Sequence, residues 1–584
     1  MTQLSALDAA FLYAETAQTP MALGTLHVLQ LPDGYAGDFV ADVRTLVASR
    51  LHLAPILHHR LVQMPYDLLT PMWVEDDDVD LEHHVRHVLL QRPGGEAQLR
   101  ALVGRLHAQQ LDRSRPLWEI VLIEGLAVGQ WAALVRVHHA GVDGQSGALL
   151  NAALMDLQPQ PRKVAAPRAR RSRGARATDP DGADLLGIGV RNLADQVVEL
   201  VRGMPRIARA LSRQAQVMGA VMPRAGGMRG KRSTGGEREG VPRTPFNVSV
   251  TNARVWARTR LALAEVRQLA RTAGCSINDV LFAVTGAALR TYLLDGNELP
   301  ARSLVALMPM STRQEGDRDM SNKVSMVPVR LHTEQADPLA QLLAIAADTR
   351  SIKDTLNQDR AGIPSDLPVV GMPWLMSGVV NLVGRLNLAE TLPLPGNLVI
   401  SNFVASTEPL YFCGARVLSF SPALVLMHGL ALGLAMQTYH ASIEIGATGC
   451  RRGMREVDEI VEDIDAAFTA LQAAVAAHDW SAPPVAPRVR GRRRATGGAQ
   501  PPDAAAATPS DTAPGDRVRA VRARRKTPAV AKAATRAKTP VRAKTPGPAK
   551  VVSPSGRQPA PRVARRRKAQ DEAPPSTGNT APVQ

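Results

Sequence analysis

Two adjacent histidines, a glycine-broken turn and an aspartate are the residues of this chain best suited to chemistry. His138 and His139 open the segment HHAGVDG, and Asp143 and Gly144 close it. Imidazole titrates near neutrality, so a positioned histidine can take a hydroxyl proton while that oxygen attacks an electrophile. The run before the pair, WAALVRVH, reads as a strand, and successive strand side chains point to opposite faces. The two rings therefore cannot enter one cavity: one is expected to react and the other to be structural. Asp143 either bonds an imidazole or holds the turn against a distant arginine. Adjacent strand histidines diverge and no third ligand joins them, so no metal site is expected. The pairs His58-His59 and His83-His84 have no glycine turn and aspartate behind them.

The elements that must position this segment follow from periodicity. Strands are predicted at Gly24 to Leu31, Leu117 to Leu126 and Trp131 to His138, with helices at Phe39 to Leu51 and Gly147 to Leu157. A second set begins with a strand near Val250 and continues with helices at Leu263 to Thr272 and Ile277 to Leu294. Strands at Leu304 to Met310 and Val324 to Leu331 follow. The reading is a mixed α/β protein in two halves. Residues 1–160 form the half that carries HHAGVDG, and residues 246–480 form the second. Between them, residues 161–245 are linker-like at both ends, with seven basic residues and no acid from Pro161 to Arg176. Asp184 to Val221 repeats its apolar residues at helical spacing, which suits either a helix packed on one half or an amphipathic helix on a lipid surface.

The formal charge of +17 sits at one end. Residues 481–584 carry 23 Lys+Arg against 5 Asp+Glu, a net of +18, leaving residues 1–480 at −1. The folded part is near neutral, so its function is not to be read from the isoelectric point. The tail is built of Ala, Pro, Lys, Arg and Thr with recurring KTP, and it holds too little apolar surface to offset its chain entropy. It is expected to be disordered, with non-specific nucleic acid or an anionic membrane as partner. Cys275, Cys413 and Cys450 are too few and too widely spaced for a disulfide framework, which fits a reducing compartment. The first residues, MTQLSALDAAFLYAET, place acids where a signal peptide is apolar, and no uninterrupted apolar run has bilayer length. Export is not expected, and any membrane association should be peripheral.

HHAGVDG resembles the HHxxxDG signature of the condensation-domain and CoA-dependent acyltransferase superfamily. Its flanks are similar to the bacterial wax ester synthase/diacylglycerol acyltransferase branch: LSALDAAFL from Leu4, TPMALGTLHV from Thr19, PMWVEDDDVDLEHHVRH from Pro71, LDRSRPLWE from Leu111, INDV from Ile277 and EPLYFCGA from Glu408. These segments keep the family's order from Met1 to Asp479. The resemblance implies a two-lobed fold with a tunnel between lobes, acyl-CoA as substrate with no separate cofactor, and a diacylglycerol or long-chain alcohol as acceptor. It implies that His139 deprotonates the alcohol for direct attack on the thioester, and that Asp143 holds its loop, with Arg313 as the analogous partner. Gly144, Asn278, Asp279, Ser401 and Asn402 match the family's substrate-side motifs; Asn278 and Asp279 also stand where a helix cap would. The site implied is cytoplasmic, at the inner membrane or a lipid droplet. Where the family has SNVPGP this chain reads Ser401-Asn402-Phe403-Val404-Ala405-Ser406, and Tyr439-His440-Ala441 departs from the family's tyrosine, asparagine and glycine. A different reading of the same features is a non-catalytic lipid-body or nucleic-acid scaffold that uses the fold and the tail.

Overall fold

In the computed structural model the described residues are 2–64, 70–142, 144–165, 240–311, 324–358 and 372–480. Asp143, Arg313, the helix expected at Asp184 to Val221 and the tail from residue 481 lie outside them.

The first half runs β1 (Thr2–Gln3), α1 (Ala6–Ala14), β2 (Ala22–Gln30), α2 (Phe39–Arg50), β3 (His59–Val62), β4 (Met72–Glu75), α3 (Leu81–His84), β5 (Val85–Leu89), α4 (Glu96–His107), β6 (Trp118–Glu124), β7 (Gln130–His138) and α5 (Gly144–Leu154). The second runs β8 (Arg254–Ala262), α6 (Leu263–Thr272), α7 (Ile277–Asp295), β9 (Val305–Ser311), β10 (Val324–Arg330), α8 (Pro338–Gln358) and α9 (Met372–Arg385). It continues with β11 (Leu398–Ser406), β12 (Tyr411–Phe412), β13 (Ala415–Ala423), β14 (Leu432–Tyr439), β15 (Ser442–Cys450) and α10 (Val457–Ala477).

Local sequence accounts for the best-defined boundaries. Asp38 caps α2 by accepting from the Val40 and Ala41 amides at 3.0 and 3.1 Å. Ser276 and Asp279 form a reciprocal capping box at the start of α7, with Asp279 N–H donating to Ser276 Oγ (3.2 Å) and Ser276 N–H to Asp279 Oδ2 (2.8 Å). By length and hydropathy α7 would suit a bilayer, but two thirds of its apolar window is buried in the protein, as befits a core helix. Helix α5 begins at Gly144, one turn earlier than the spacing predicts, because the helix starts from the final glycine of the HHAGVDG segment itself.

Two six-stranded mixed sheets carry the molecule, in the orders β12-β13-β2-β7-β6-β5 and β10-β9-β11-β14-β15-β8. The first contains β13, a strand from the second half of the chain, which pairs antiparallel with β2 from Arg416↔Gln30 to Ala423↔Gly24. On its other side β13 packs against β14 and β15 of the second sheet. The approach is so close that a Cβ at Gly446 would stand 1.8 Å from the Pro422 carbonyl oxygen. Trp256 Nε1 donates to that same oxygen at 3.0 Å, and Arg258 reaches from β8 to Glu96 of α4 at 2.8 Å. The described residues accordingly belong to one compact unit spanning residues 1–485.

Candidate active site

β7 ends at His138, which pairs with Ala22 of β2 and is fully buried. The Ala140 amide donates to His138 Nδ1 at 3.0 Å, so in the neutral ring the proton resides on Nε2. Nε2 faces Glu15 Oε2 at 3.5 Å. Glu15 follows α1 and is itself held on every side: Oε1 accepts the Met21 amide at 3.0 Å, and Oε2 accepts Arg113 Nε and Nη2 at 2.9 and 2.7 Å. Burial alone would raise this carboxyl's pKa. His138, Arg113 and the Met21 amide more than reverse that and hold it down to about 2. Glu15 therefore stays charged, and the imidazole of His138 is fixed in place by a group that has no access to solvent.

His139 takes the opposite face. Its amide donates to the Met21 carbonyl at 2.8 Å, and its ring lies flat on Phe11 of α1, with centroids 3.8 Å apart and planes 10° from parallel. His139 is partly exposed where His138 is sealed. The chain then turns sharply, with Gly141 N–H donating to His138 O at 2.9 Å; a Cβ on Gly141 would fall 2.2 Å from Ile56 Cδ1. The turn lies directly on the first half's core, so a larger residue there would have to displace the tip of Ile56.

Helix α5, leaving this turn, packs on β11, the strand carrying Ser401 and Asn402. Asn402 Nδ2 donates to Asn278 Oδ1 at 2.7 Å, which joins β11 to the first turn of α7 with both side chains at the surface. Ser401 is half-buried beside them. Asp279 is placed differently. Its Oδ2 is taken by the Ser276 amide and its Oδ1 by Thr349 Oγ1 at 2.7 Å, and it is only 4 % exposed, so it serves as cap and helix-to-helix tie. The segment Leu398 to Ser406, without the family's proline-glycine turn, remains strand throughout, with a register shift between Val404 and Ser406.

Of the LDRSRPLWE segment, Arg113 supplies the Glu15 clamp, Arg115 bonds Asp80 at 2.8 Å, and Trp118 is a core residue whose Nε1 donates to the Leu57 carbonyl at 3.1 Å. Glu119 bonds Arg86 at 2.7 Å and pairs with the buried Arg136. Phe11, Glu15 and Arg113 are site residues that spacing around HHAGVDG does not reveal. Their only trace in the sequence is that two of the segments with family resemblance, LSALDAAFL and LDRSRPLWE, contain or adjoin them. Among the described residues no three His, Cys, Asp or Glu side chains converge as a metal-binding group.

This geometry has relatives. Residues 4–281 match the wax ester synthase/diacylglycerol acyltransferase catalytic domain, and residues 320–472 match the C-terminal domain of the same family. A Mycobacterium tuberculosis (H37Rv) protein described as a diacylglycerol O-acyltransferase is 32% identical over 473 residues, covering 81% of this chain and 100% of its own. A second protein of that strain with the same described activity is 29% identical over 469 residues, covering 80% of this chain and 98% of its own. The solved wax ester synthase/diacylglycerol acyltransferase of Marinobacter aquaeolei VT8 superposes with a TM-score of 0.57 at 25% identity, over 82% of this chain and all of that one.

Proposed function

Because the chain belongs to the wax ester synthase/diacylglycerol acyltransferase family, and is thus an acyltransferase, we propose that it moves a long-chain acyl group from acyl-CoA to a lipid alcohol by direct transfer. The acceptor is a diacylglycerol, giving triacylglycerol, or a long-chain alcohol, giving a wax ester. The observation that carries the reading is the division of labour in the histidine pair: His138 is buried against Glu15, while His139 is presented on the face of Phe11.

In this reading His139 takes the acceptor's hydroxyl proton as the oxygen attacks the thioester carbonyl carbon. The tetrahedral intermediate collapses with cleavage of the carbon–sulfur bond, and the proton held by His139 passes to the departing CoA sulfur, leaving the new ester and free CoA. The Phe11 face fixes the plane of the ring, and the Glu15–Arg113 clamp fixes the strand end on which it sits. No acyl-enzyme forms, so both substrates occupy the protein together, and the resulting kinetics are sequential rather than ping-pong. In this reading the enzyme works from the cytoplasm at a lipid surface, the inner membrane or a lipid droplet, because a poorly soluble acceptor is concentrated there. The basic residues 481–584 attach it there, each Lys or Arg contributing about 1 kcal/mol near an anionic leaflet.

The test is a turnover assay on the purified full chain with radiolabelled palmitoyl-CoA and, in turn, dioleoylglycerol, hexadecanol and a sterol, with products separated by chromatography. Triacylglycerol or wax ester is the expected product. A labelled protein formed in the absence of acceptor, with parallel double-reciprocal lines, would overturn direct transfer.

A further inference from the structure

At the opposite end of the first sheet from His138 lies a cavity of about 440 Å³, set in the seam between the two sheets. Its walls come from the end of β8, the start of β13 and the turn between β14 and β15. Arg416 of β13 pairs with Gln30 of β2, and Gln30 pairs with Gln130, the first residue of β7. The eight residue steps of β7 from Gln130 to His138, roughly 26 Å at about 3.3 Å per step, thus separate this end from His138.

Arg260, Arg416 and His440 line this cavity, and none of its lining residues is an acid. Among the described residues no hydrogen bond or ion pair engages the Arg260 or Arg416 side chain. The other arginines of this seam are spent. Arg258, on the same strand as Arg260, is paired with Glu96 at 2.8 Å. The carboxylate opposite Arg260 on the neighbouring strand is Glu444, its cross-strand partner. Glu444 is turned inward, 2 % exposed, and accepts from Ser442 Oγ at 2.7 Å and Ser421 Oγ at 3.3 Å. The wall is rigid: Tyr439 Oη donates to Val417 O at 2.9 Å and accepts the Leu410 amide at 3.0 Å. His440 stands at the turn with φ 50°, so its imidazole is carried by a tight hairpin rather than a loose loop.

Arg260 and Arg416 are both exposed and line one concavity that holds no acid, so an oxyanion seated there would be met by both guanidinium forks. Guanidinium geometry matches phosphate oxygens in a bidentate manner, and the volume is in the range of small-ligand pockets. We propose that this cavity binds a phosphate ester, with Arg260 and Arg416 as its ligands and His440 as a further donor. Two sources offer that chemistry: the nucleotide end of the CoA donor, and the headgroup of an anionic phospholipid. The cavity lies apart from the histidine pair, the nucleotide arm rests on the proposed use of acyl-CoA, and occupancy is measurable without turnover.

The experiment uses the full chain, so that the basic tail is common to all samples. Calorimetric titrations with inorganic phosphate and with adenosine 3′,5′-bisphosphate are run beside co-sedimentation with phosphatidylcholine vesicles with and without phosphatidic acid. Wild type is compared with Arg260→Gln/Arg416→Gln and with Arg105→Gln/Arg271→Gln, which removes the same charge at two exposed positions outside the cavity. The cavity variant is expected to weaken binding by about 10–100-fold, the loss of charge-assisted hydrogen bonds, while the control variant retains it. Loss confined to the bisphosphate identifies the nucleotide, and loss confined to phosphatidic acid vesicles identifies the headgroup. Equal affinity of wild type and cavity variant for every probe, equal weakening in both variants, or no binding to wild type overturns the proposal. Should the double variant lose its cooperative melting transition, Arg416→Lys, which keeps the charge but not the fork, makes the same comparison.

Discussion

At the scale of the residue, the histidine pair makes the sharpest separation. His139→Ala should lower acyl transfer by roughly 10²–10⁴-fold, the usual loss for a positioned base, while shifting the melting temperature little. His138→Ala should do the reverse. It leaves the Glu15–Arg113 clamp without its third member in a sealed site, so thermal stability falls more than turnover does. Equal rate losses at unchanged melting temperature would refute the assignment of the two faces. Glu15 gives a pH signature with a defined sign. Its pKa is depressed from 4.5 to about 2, so the stabilisation it supplies is complete above about pH 4.5 and disappears as pH falls through about 2. Wild type should exceed Glu15→Gln in unfolding free energy at pH 6, on the order of 3 kcal/mol, and the gap should close on acidification. A gap that stays constant from pH 6 to pH 3 would show that the carboxylate's charge is not what the site uses.

At the scale of the element, α7 is held at its first turn by one side chain serving two neighbours. Asp279 closes the capping box and accepts from Thr349 of α8, both in the interior. Asp279→Ala should cost about 2–4 kcal/mol in chemical denaturation, combining a lost cap with an orphaned buried hydroxyl, and Asp279→Asn should recover part of it. If Asp279→Ala instead left stability unchanged and raised KM alone, the residue would belong to the substrate and not to the helix. Asn278, beside it in the same turn, is spared that duty and bonds Asn402 of β11. This turn therefore carries one structural and one surface-directed side chain, because consecutive residues of a helix are rotated about 100° around its axis.

For the whole molecule, charge and fold are distributed to different parts of the chain. Truncation after Asp479 removes the net +18 of residues 481–584 and none of the described elements. Turnover on short, soluble acceptors should be nearly unchanged, whereas binding to anionic vesicles and to DNA should fall and lose its steep salt dependence. Vesicle binding at low salt as tight as that of the full chain would transfer the membrane role to another part of the molecule. The two sheets themselves depend on contact at the backbone. Where a Cβ would meet the Pro422 carbonyl at 1.8 Å, only glycine at position 446 lets β13 and β15 approach.

Amphipathic and capping signals made α2, α6 and α7, with strands β2, β6 and β7, legible from sequence, because each follows from residues adjacent in the chain. Alternation of faces along β7 was enough to show that His138 and His139 point to different sides. Phe11, Glu15 and Arg113 were not legible as site residues, since their contacts join positions far apart in sequence and carry no periodic signature. Nor was the passage of β13 into the first sheet, which alternation alone leaves free to pair with either sheet. That pairing is decided by which edge is open once β2 and β7 have paired, by the polar bridge from Arg258 to Glu96, and by the glycine that admits Pro422. Composition located the charge, and motif spacing located the histidine pair. Only tertiary packing decided which imidazole is sealed against a carboxylate and which is left on an aromatic face, because burial is a property of the assembled core and not of the segment.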